Sequence, residues 1–138
     1  MEKLRPETDL NDTIVGNYLK LLQFAFLPTT LDHCCYIYSS FFMEKLVGDL
    51  VKEEVIFDKD SNWLGRQVQE RVGRNYKDVK RWTRRIDIFE KEILVIPINA
   101  FRHWFCVLVL HPGQLLKNPR ECQLVYCDSM FERREFVV

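Results

Sequence analysis

The chain has 138 residues, 47% hydrophobic and 13% aromatic, enough apolar material for the core of one domain and too much for wholesale disorder. Its 20 basic and 20 acidic residues cancel, which removes any global drive toward nucleic acid or anionic membranes. No apolar run reaches the roughly 18 residues of a membrane span, and Met1-Glu2-Lys3-Leu4-Arg5-Pro6 is not a signal peptide, so an intracellular protein without membrane contact is expected.

Met1 to Leu10 reads as a polar lead-in. Asn11 suits the N-cap of a helix running to about Leu27, where Pro28 stops it. Its apolar stripe is Ile14, Tyr18, Leu21, Leu22 and Ala25, widened by Val15, Leu19 and Phe26, and it is expected to face a core. Cys34-Cys35-Tyr36-Ile37-Tyr38 is rich in strand formers. Ser39 to Leu46 then reads as a serine-capped helix carrying Phe42 and Leu46 inward. Val51 to Asn62 is charged and weakly patterned, as a surface loop would be.

From Arg66 to Arg85 eight Lys or Arg stand against two acidic residues, net +6, interleaved with Tyr76 and Trp82. Basic residues with aromatics can bind single-stranded nucleic acid. Here Tyr76, Val79, Trp82 and Ile86 fall on one helical face, which makes the aromatics core and the basic side chains a solvated surface. That surface fits an acidic protein partner better than nucleic acid.

Three strands follow, over 93–98, 103–110 and 121–128. Pro97 lacks a donor and belongs near a strand end or on an edge. His103-Trp104-Phe105-Cys106-Val107-Leu108-Val109-Leu110 is almost unbroken in apolarity, as in a strand buried on both faces. Helices before a largely antiparallel sheet make the class α+β. Five cysteines, Cys34, Cys35, Cys106, Cys122 and Cys127, form no Cys-x-x-Cys pair. Buried reduced thiols are expected, and neither a zinc site nor any other metal site is.

If 103–110 and 121–128 pair as a hairpin with Leu110 opposite Glu121, counting back sets His103 opposite Asp128. Directly opposed residues share a face, with Cβ atoms roughly 4.5–5.5 Å apart. A carboxylate there would fix the imidazole tautomer and stabilise the imidazolium, the orienting half of a nucleophilic triad. By itself the pair reads more simply as polar residues at a sheet edge, and a slip of one residue would part them.

Several motifs then resemble one family in order and spacing from Asp9 to Ser129: Leu10-Asn11-Asp12, Ser39-Ser40-Phe41-Phe42, Val79-Lys80-Arg81-Trp82-Thr83, Asp87-Ile88-Phe89-Glu90-Lys91, Ile96-Pro97-Ile98-Asn99, His103-Trp104 and Asp128-Ser129. The chain resembles the sentrin/SUMO-specific (ubiquitin-like-protein-specific) cysteine proteases, most of all the branch that trims poly-SUMO chains. The resemblance implies a papain-like (adenain-like) fold and a Cys-His-Asp triad cleaving after the Gly-Gly terminus of SUMO. It needs no cofactor, and it makes SUMO and SUMO-conjugated proteins the partners, in nucleus or cytoplasm, with the nucleus favoured. It maps His103 to the general base, Asp128 to its orienter, and Trp104 to the tryptophan over the substrate's glycines.

In two places this sequence departs from that pattern. Many family members carry an aromatic before Leu-Asn-Asp, where this chain has Asp9. The family's oxyanion-hole glutamine and Asp-Cys-Gly nucleophile motif lie downstream of the aspartate, and neither occurs before Val138. Residues 1–138 therefore read as a partial catalytic domain holding the His-Asp half of a triad, inactive by itself and with an apolar face left uncovered. The alternative is a non-catalytic SUMO-binding module.

Overall fold

The computed structural model describes residues 9–26, 28, 33–51, 61–100 and 102–130. Four strands form one sheet in the order β1 (Cys35–Ile37), β2 (Ile93–Ala100), β3 (His103–Leu110) and β4 (Gln123–Cys127). β1 runs parallel to β2, and the other neighbours are antiparallel. Among the described residues three α-helices accompany it: α1 (Asp12–Leu21), α2 (Phe42–Val47) and α3 (Ser61–Val79). The fold is α+β with a mixed, mainly antiparallel sheet, in agreement with the class read from the sequence.

Helix α1 starts where expected, because the side chain of Asn11 accepts a hydrogen bond from the Ile14 N–H at 3.0 Å. It continues as a π-helical turn over Leu22–Phe26. Its inward side keeps Ile14, Val15, Leu19 and Leu22 of the expected stripe and adds Gly16, all half-buried, whereas Tyr18, Leu21 and Ala25 of that stripe are exposed. Gly16 is the contact point: a Cβ there would stand 3.4 Å from Ser40 Oγ, which itself donates to the Asp12 carbonyl. The helix therefore seats on its small residue, turning Tyr18 outward.

Helix α2 is not serine-capped. Phe41 occupies the N-cap without a side-chain bond, and Ser39 Oγ instead accepts from the Phe41 N–H at 3.3 Å. Phe42 still turns inward, its ring 4.1 Å from that of buried Tyr38. Helix α3 closes over α2, and Asn75 Nδ2 donates to the Leu46 carbonyl at the C-terminal end of α2. Its inner side carries Val68, Val72 and Val79, whereas Tyr76 is 57% exposed and so is no core aromatic. The helix ends at Val79, so Trp82 and Ile86 reach inward from the turns after it. Of the expected loop over 51–62, residues 52–60 lie outside the described residues, and Ser61 and Asn62 are already helical.

The core lies between these helices and one face of the sheet. Val47, Ile98 and Ala100 are buried together, with Met43, Leu46, Ile96, Phe105 and Val107 packed around them. Ile96, Ile98 and Ala100 stand opposite Val107, Phe105 and His103, so the covered face of the sheet is the one that carries His103. Pro97 sits inside β2, but β1 ends opposite Val95. The proline therefore occupies a stretch with no strand on its outer side, which satisfies the edge requirement.

β3 is not buried on both faces: each of its residues is only half-buried, and β4 is exposed throughout. Leu116, Leu124 and Met130 are 77%, 73% and 73% exposed, an uncovered apolar surface around the last strand. None of the described helices is long and apolar enough to cross a membrane.

Candidate active site

Pairing of β3 with β4 is shifted by two residues from the expected register. Leu110 faces Gln123 rather than Glu121, because a short 3₁₀ turn over Pro119–Glu121 takes up Glu121 and β4 begins only at Gln123. Strand side chains repeat every second residue, so an even shift keeps every face assignment. Phe105 and Tyr126 are no longer directly opposed, yet their rings still meet on one face at 5.0 Å. His103 and Asp128 likewise meet as diagonal neighbours, with Nε2 of His103 2.5 Å from Oδ1 of Asp128.

The imidazole of His103 is 25% exposed and the carboxylate of Asp128 10%. Three donors converge on that carboxylate: the Met130 N–H on Oδ1 at 2.9 Å, the Tyr126 phenol on Oδ2 at 2.7 Å, and His103 Nε2 on Oδ1. In that order they hold the Asp128 carboxyl down from 3.8 to about 2. An ionised carboxylate only accepts, so Nε2 carries the imidazole proton and Nδ1 presents a lone pair. Nδ1 has no hydrogen-bond partner among the described residues. The arrangement can therefore accept a proton at Nδ1 and stabilise the resulting cation through Nε2.

Tyr126 is a site residue that the sequence reading above does not single out. Loss of solvent around its hydroxyl, and then Asp128, push it up to about 12, so it stays a donor. The signal was available: Tyr126 and Asp128 are two apart in an extended segment and share a face.

A second histidine-carboxylate pair shows why burial matters. At the other end of β3, His111 Nδ1 stands 3.1 Å from Glu92 Oε2, with the two side chains 56% and 60% exposed. Water competes for both partners there, and among the described residues no further donor orients the Glu92 carboxylate as Tyr126 and Met130 orient that of Asp128.

Trp104 alternates to the other face of β3 from His103. Its indole Nε1 donates to the Leu10 carbonyl at 2.8 Å, which ties the segment before α1 to the start of β3. With Asp9, Ser40, Met43, Asn99 and Arg102 it lines a cleft of about 410 Å³. Arg102, at φ 60 in the β2–β3 turn, forms an ion pair with Asp9 at 2.8 Å across the cleft rim. Asp9, standing where an aromatic was expected, thus has an ionic partner.

The depressed Asp128 carboxyl has a measurable consequence. A carboxyl lowered on folding stabilises the fold above its unfolded value and loses that contribution as pH falls through its folded value. The Tm gap between wild type and Asp128→Asn is expected to hold steady from neutral pH to about pH 5. It should then close as the pH approaches about 2. A gap that widens on acidification would contradict the hydrogen-bond set described. Tyr126→Phe removes one of the three donors, and NMR titration should find the Asp128 carboxyl higher in that variant.

Residues 8–136 match the Ulp1 protease family, C-terminal catalytic domain. Probable ubiquitin-like-specific protease 2A of Arabidopsis thaliana is 31% identical over 137 residues, covering 94% of this chain and 16% of that protein. Sentrin-specific protease 6 of Mus musculus is 37% identical over 111 residues, covering 80% of this chain and 9% of its own length. The chain thus spans less than a fifth of these relatives. Among solved structures, the SUMO protease Ulp1 with its catalytic cysteine oxidised to a sulfinic acid superposes with a TM-score of 0.57 at 22% identity, over 98% of this chain and 45% of that one. A de-sumoylating protease gives a TM-score of 0.55 at 21% identity, over 91% and 39%.

Proposed function

The chain belongs to the Ulp1 protease family, and on that premise we propose that His103 and Asp128 are the general base and its orienter in a cysteine protease that cleaves after the Gly-Gly terminus of SUMO. The observation that carries this reading is the oriented imidazole, with Nε2 on a saturated carboxylate and Nδ1 open. A thiol approaching Nδ1 would lose its proton there, and the thiolate would attack the glycine carbonyl carbon. The imidazolium would then return the proton to the departing lysine amine, leaving a thioester for water to hydrolyse. Backbone and side-chain donors near the carbonyl would hold the oxyanion.

None of the five cysteines suits the role of that thiol. Cys106 and Cys127 alternate to the face of the sheet opposite His103. Cys122 precedes β4 at the end of the ladder remote from His103, and neither Cys34 nor Cys35 stands at the N-terminus of a described helix that would favour a thiolate. In this proposal residues 1–138 supply the base and its orienter, and the thiol is supplied by a residue outside them. SUMO and its conjugates are the proposed partners, in the nucleus or cytoplasm.

The test is cleavage of a SUMO precursor and of a SUMO-lysine conjugate by the polypeptide extended through an Asp-Cys-Gly segment. Product ending in Gly-Gly is the expected result. SUMO binding by the extended protein without any cleavage would replace this reading with that of a binding module, and absence of both would overturn it altogether.

Trp104 is the proposed cover over the substrate's glycines. A buried tryptophan at the centre of a contact commonly contributes about 2 kcal/mol or more. Trp104→Ala is therefore expected to weaken SUMO binding about 30-fold, read by calorimetry. Trp104→Phe keeps a ring but loses the bond to Leu10, and should fall between. Equal affinity in all three proteins would remove Trp104 from the substrate path.

A further inference from the structure

Cys106 and Cys127 stand directly opposite one another in the β3–β4 ladder. Opposed residues in an antiparallel pair hold their Cα atoms roughly 4.5–5.5 Å apart. That lies inside the roughly 4.4–6.8 Å a disulfide can span. The two thiols share a face and are hydrogen-bonded to each other; burial first, then the neighbouring thiol, pushes the Cys106 thiol up. Cys127 is exposed, contrary to the expectation of a buried thiol, and Cys106 is half-buried behind it. An accessible thiol with a second one already in contact is the arrangement of a reacting cysteine and its resolving partner. Neither takes part in the chemistry proposed for His103, and Cys127 directly precedes Asp128.

We propose that Cys106 and Cys127 form a cross-strand disulfide on exposure to a peroxide, and that the bond locks the β3–β4 register that sets Asp128 against His103. The Cys127 thiolate attacks one peroxide oxygen, the O–O bond breaks, and hydroxide leaves, giving a sulfenic acid. The Cys106 sulfur then attacks the Cys127 sulfur, and the sulfenic hydroxyl departs as water with the proton from Cys106. Two thiols and one hydrogen peroxide become one disulfide and two waters, with two electrons passing from sulfur to oxygen. A reducing compartment keeps the pair open until such an oxidant is present. The bond joins residues already at their native spacing, so it restrains the unfolded chain without shifting the strands. Formation of the disulfide is independent of the protease reading; only its consequence for Asp128 rests on that reading.

The experiment treats the native 138-residue chain with graded hydrogen peroxide, alkylates the remaining thiols, and maps the peptides by mass spectrometry. A peptide linking Cys106 to Cys127 is expected, with Cys34, Cys35 and Cys122 alkylated. It should form faster in native protein than in urea-unfolded chain. The oxidised protein should melt at higher urea than the reduced one, and oxidant should leave the midpoints of Cys106→Ser and Cys127→Ser unmoved. The exposed position of Cys127 makes its serine variant the safer folding control. Cys127 trapped as a higher oxide beside an alkylatable Cys106, a link through Cys122, or a link made equally fast in urea would overturn the pairing. A linked protein with an unchanged or lower midpoint would overturn the lock. Peptide mapping uses no SUMO cleavage, so failure here and failure of the protease reading are read separately.

Discussion

His103→Ala is expected to lower kcat for SUMO cleavage by about 10⁴-fold or more in the protein that carries the nucleophile. The physical reason is that one imidazole serves twice, taking the thiol proton and returning it to the amine. A free thiol is a few per cent ionised near neutral pH, so acylation without the base falls less than it would for a serine nucleophile. The departing amine still lacks its proton donor, and that step keeps the loss large. Asp128→Asn should lose less than His103→Ala, because the imidazole remains. An asparagine, though, offers a single acceptor oxygen to the three donors now served by Asp128. Its amide hydrogens would face at least one of them, and the ring would lose its fixed tautomer. Single-turnover cleavage separates these effects from binding. If His103→Ala kept a tenth or more of the wild-type rate, or lost SUMO binding in the same proportion as kcat, the assignment of the base would fail.

Ile98→Ala is expected to destabilise the chain by about 2–5 kcal/mol, and Ile98→Val by about 0.5–1.5 kcal/mol. Ile98 is 8% exposed and packs with Val47 and Ala100 at the centre of the buried cluster. Removing most of its side chain leaves a cavity between β2 and the two helices above it, with little scope for collapse because α2 and α3 are themselves held by the Asn75 bond. Domains of this kind have total stabilities of about 5–15 kcal/mol, so the alanine variant should lie close to unfolding at 37 °C. The effect reaches the site. Ile98 stands opposite Phe105, whose ring stacks toward that of His103 at 6.4 Å and meets Tyr126 at 5.0 Å. Urea denaturation followed by circular dichroism checks the stability, and the imidazole resonances of His103 report the site. Two variants indistinguishable from wild type would show that the core does not lie where the buried cluster indicates.

The strand readings came close because alternation and apolar runs are local. Expected strands over 93–98, 103–110 and 121–128 became 93–100, 103–110 and 123–127. The error in β4 has a definite cause: the connection from His111 to Cys122 contains two 3₁₀ turns, over Pro112–Leu116 and Pro119–Glu121. Turn signals mark that a connection exists without counting the residues it takes up. The helices were harder. Apolar residues surround much of α1, so the pattern could not say that Gly16 against Ser40, rather than Tyr18, marks the buried side. Tyr76 was misplaced for a related reason, since the helix that would have aligned it with Trp82 stops at Val79.

The sequence by itself determined which residue types alternate on which face of β3 and β4. It also determined the Asn11 cap, the α+β class, and the family to which the ordered motifs belong. Those properties depend on neighbours a few positions away, and a period of two survives the two-residue error in register. Only the tertiary structure decided that Met130, Tyr126 and His103 all converge on Asp128, that Trp104 holds Leu10 across 94 positions, and that β1 joins the sheet in parallel. Contacts of that kind depend on how segments far apart in the chain pack together, and no local periodicity encodes the distance between them.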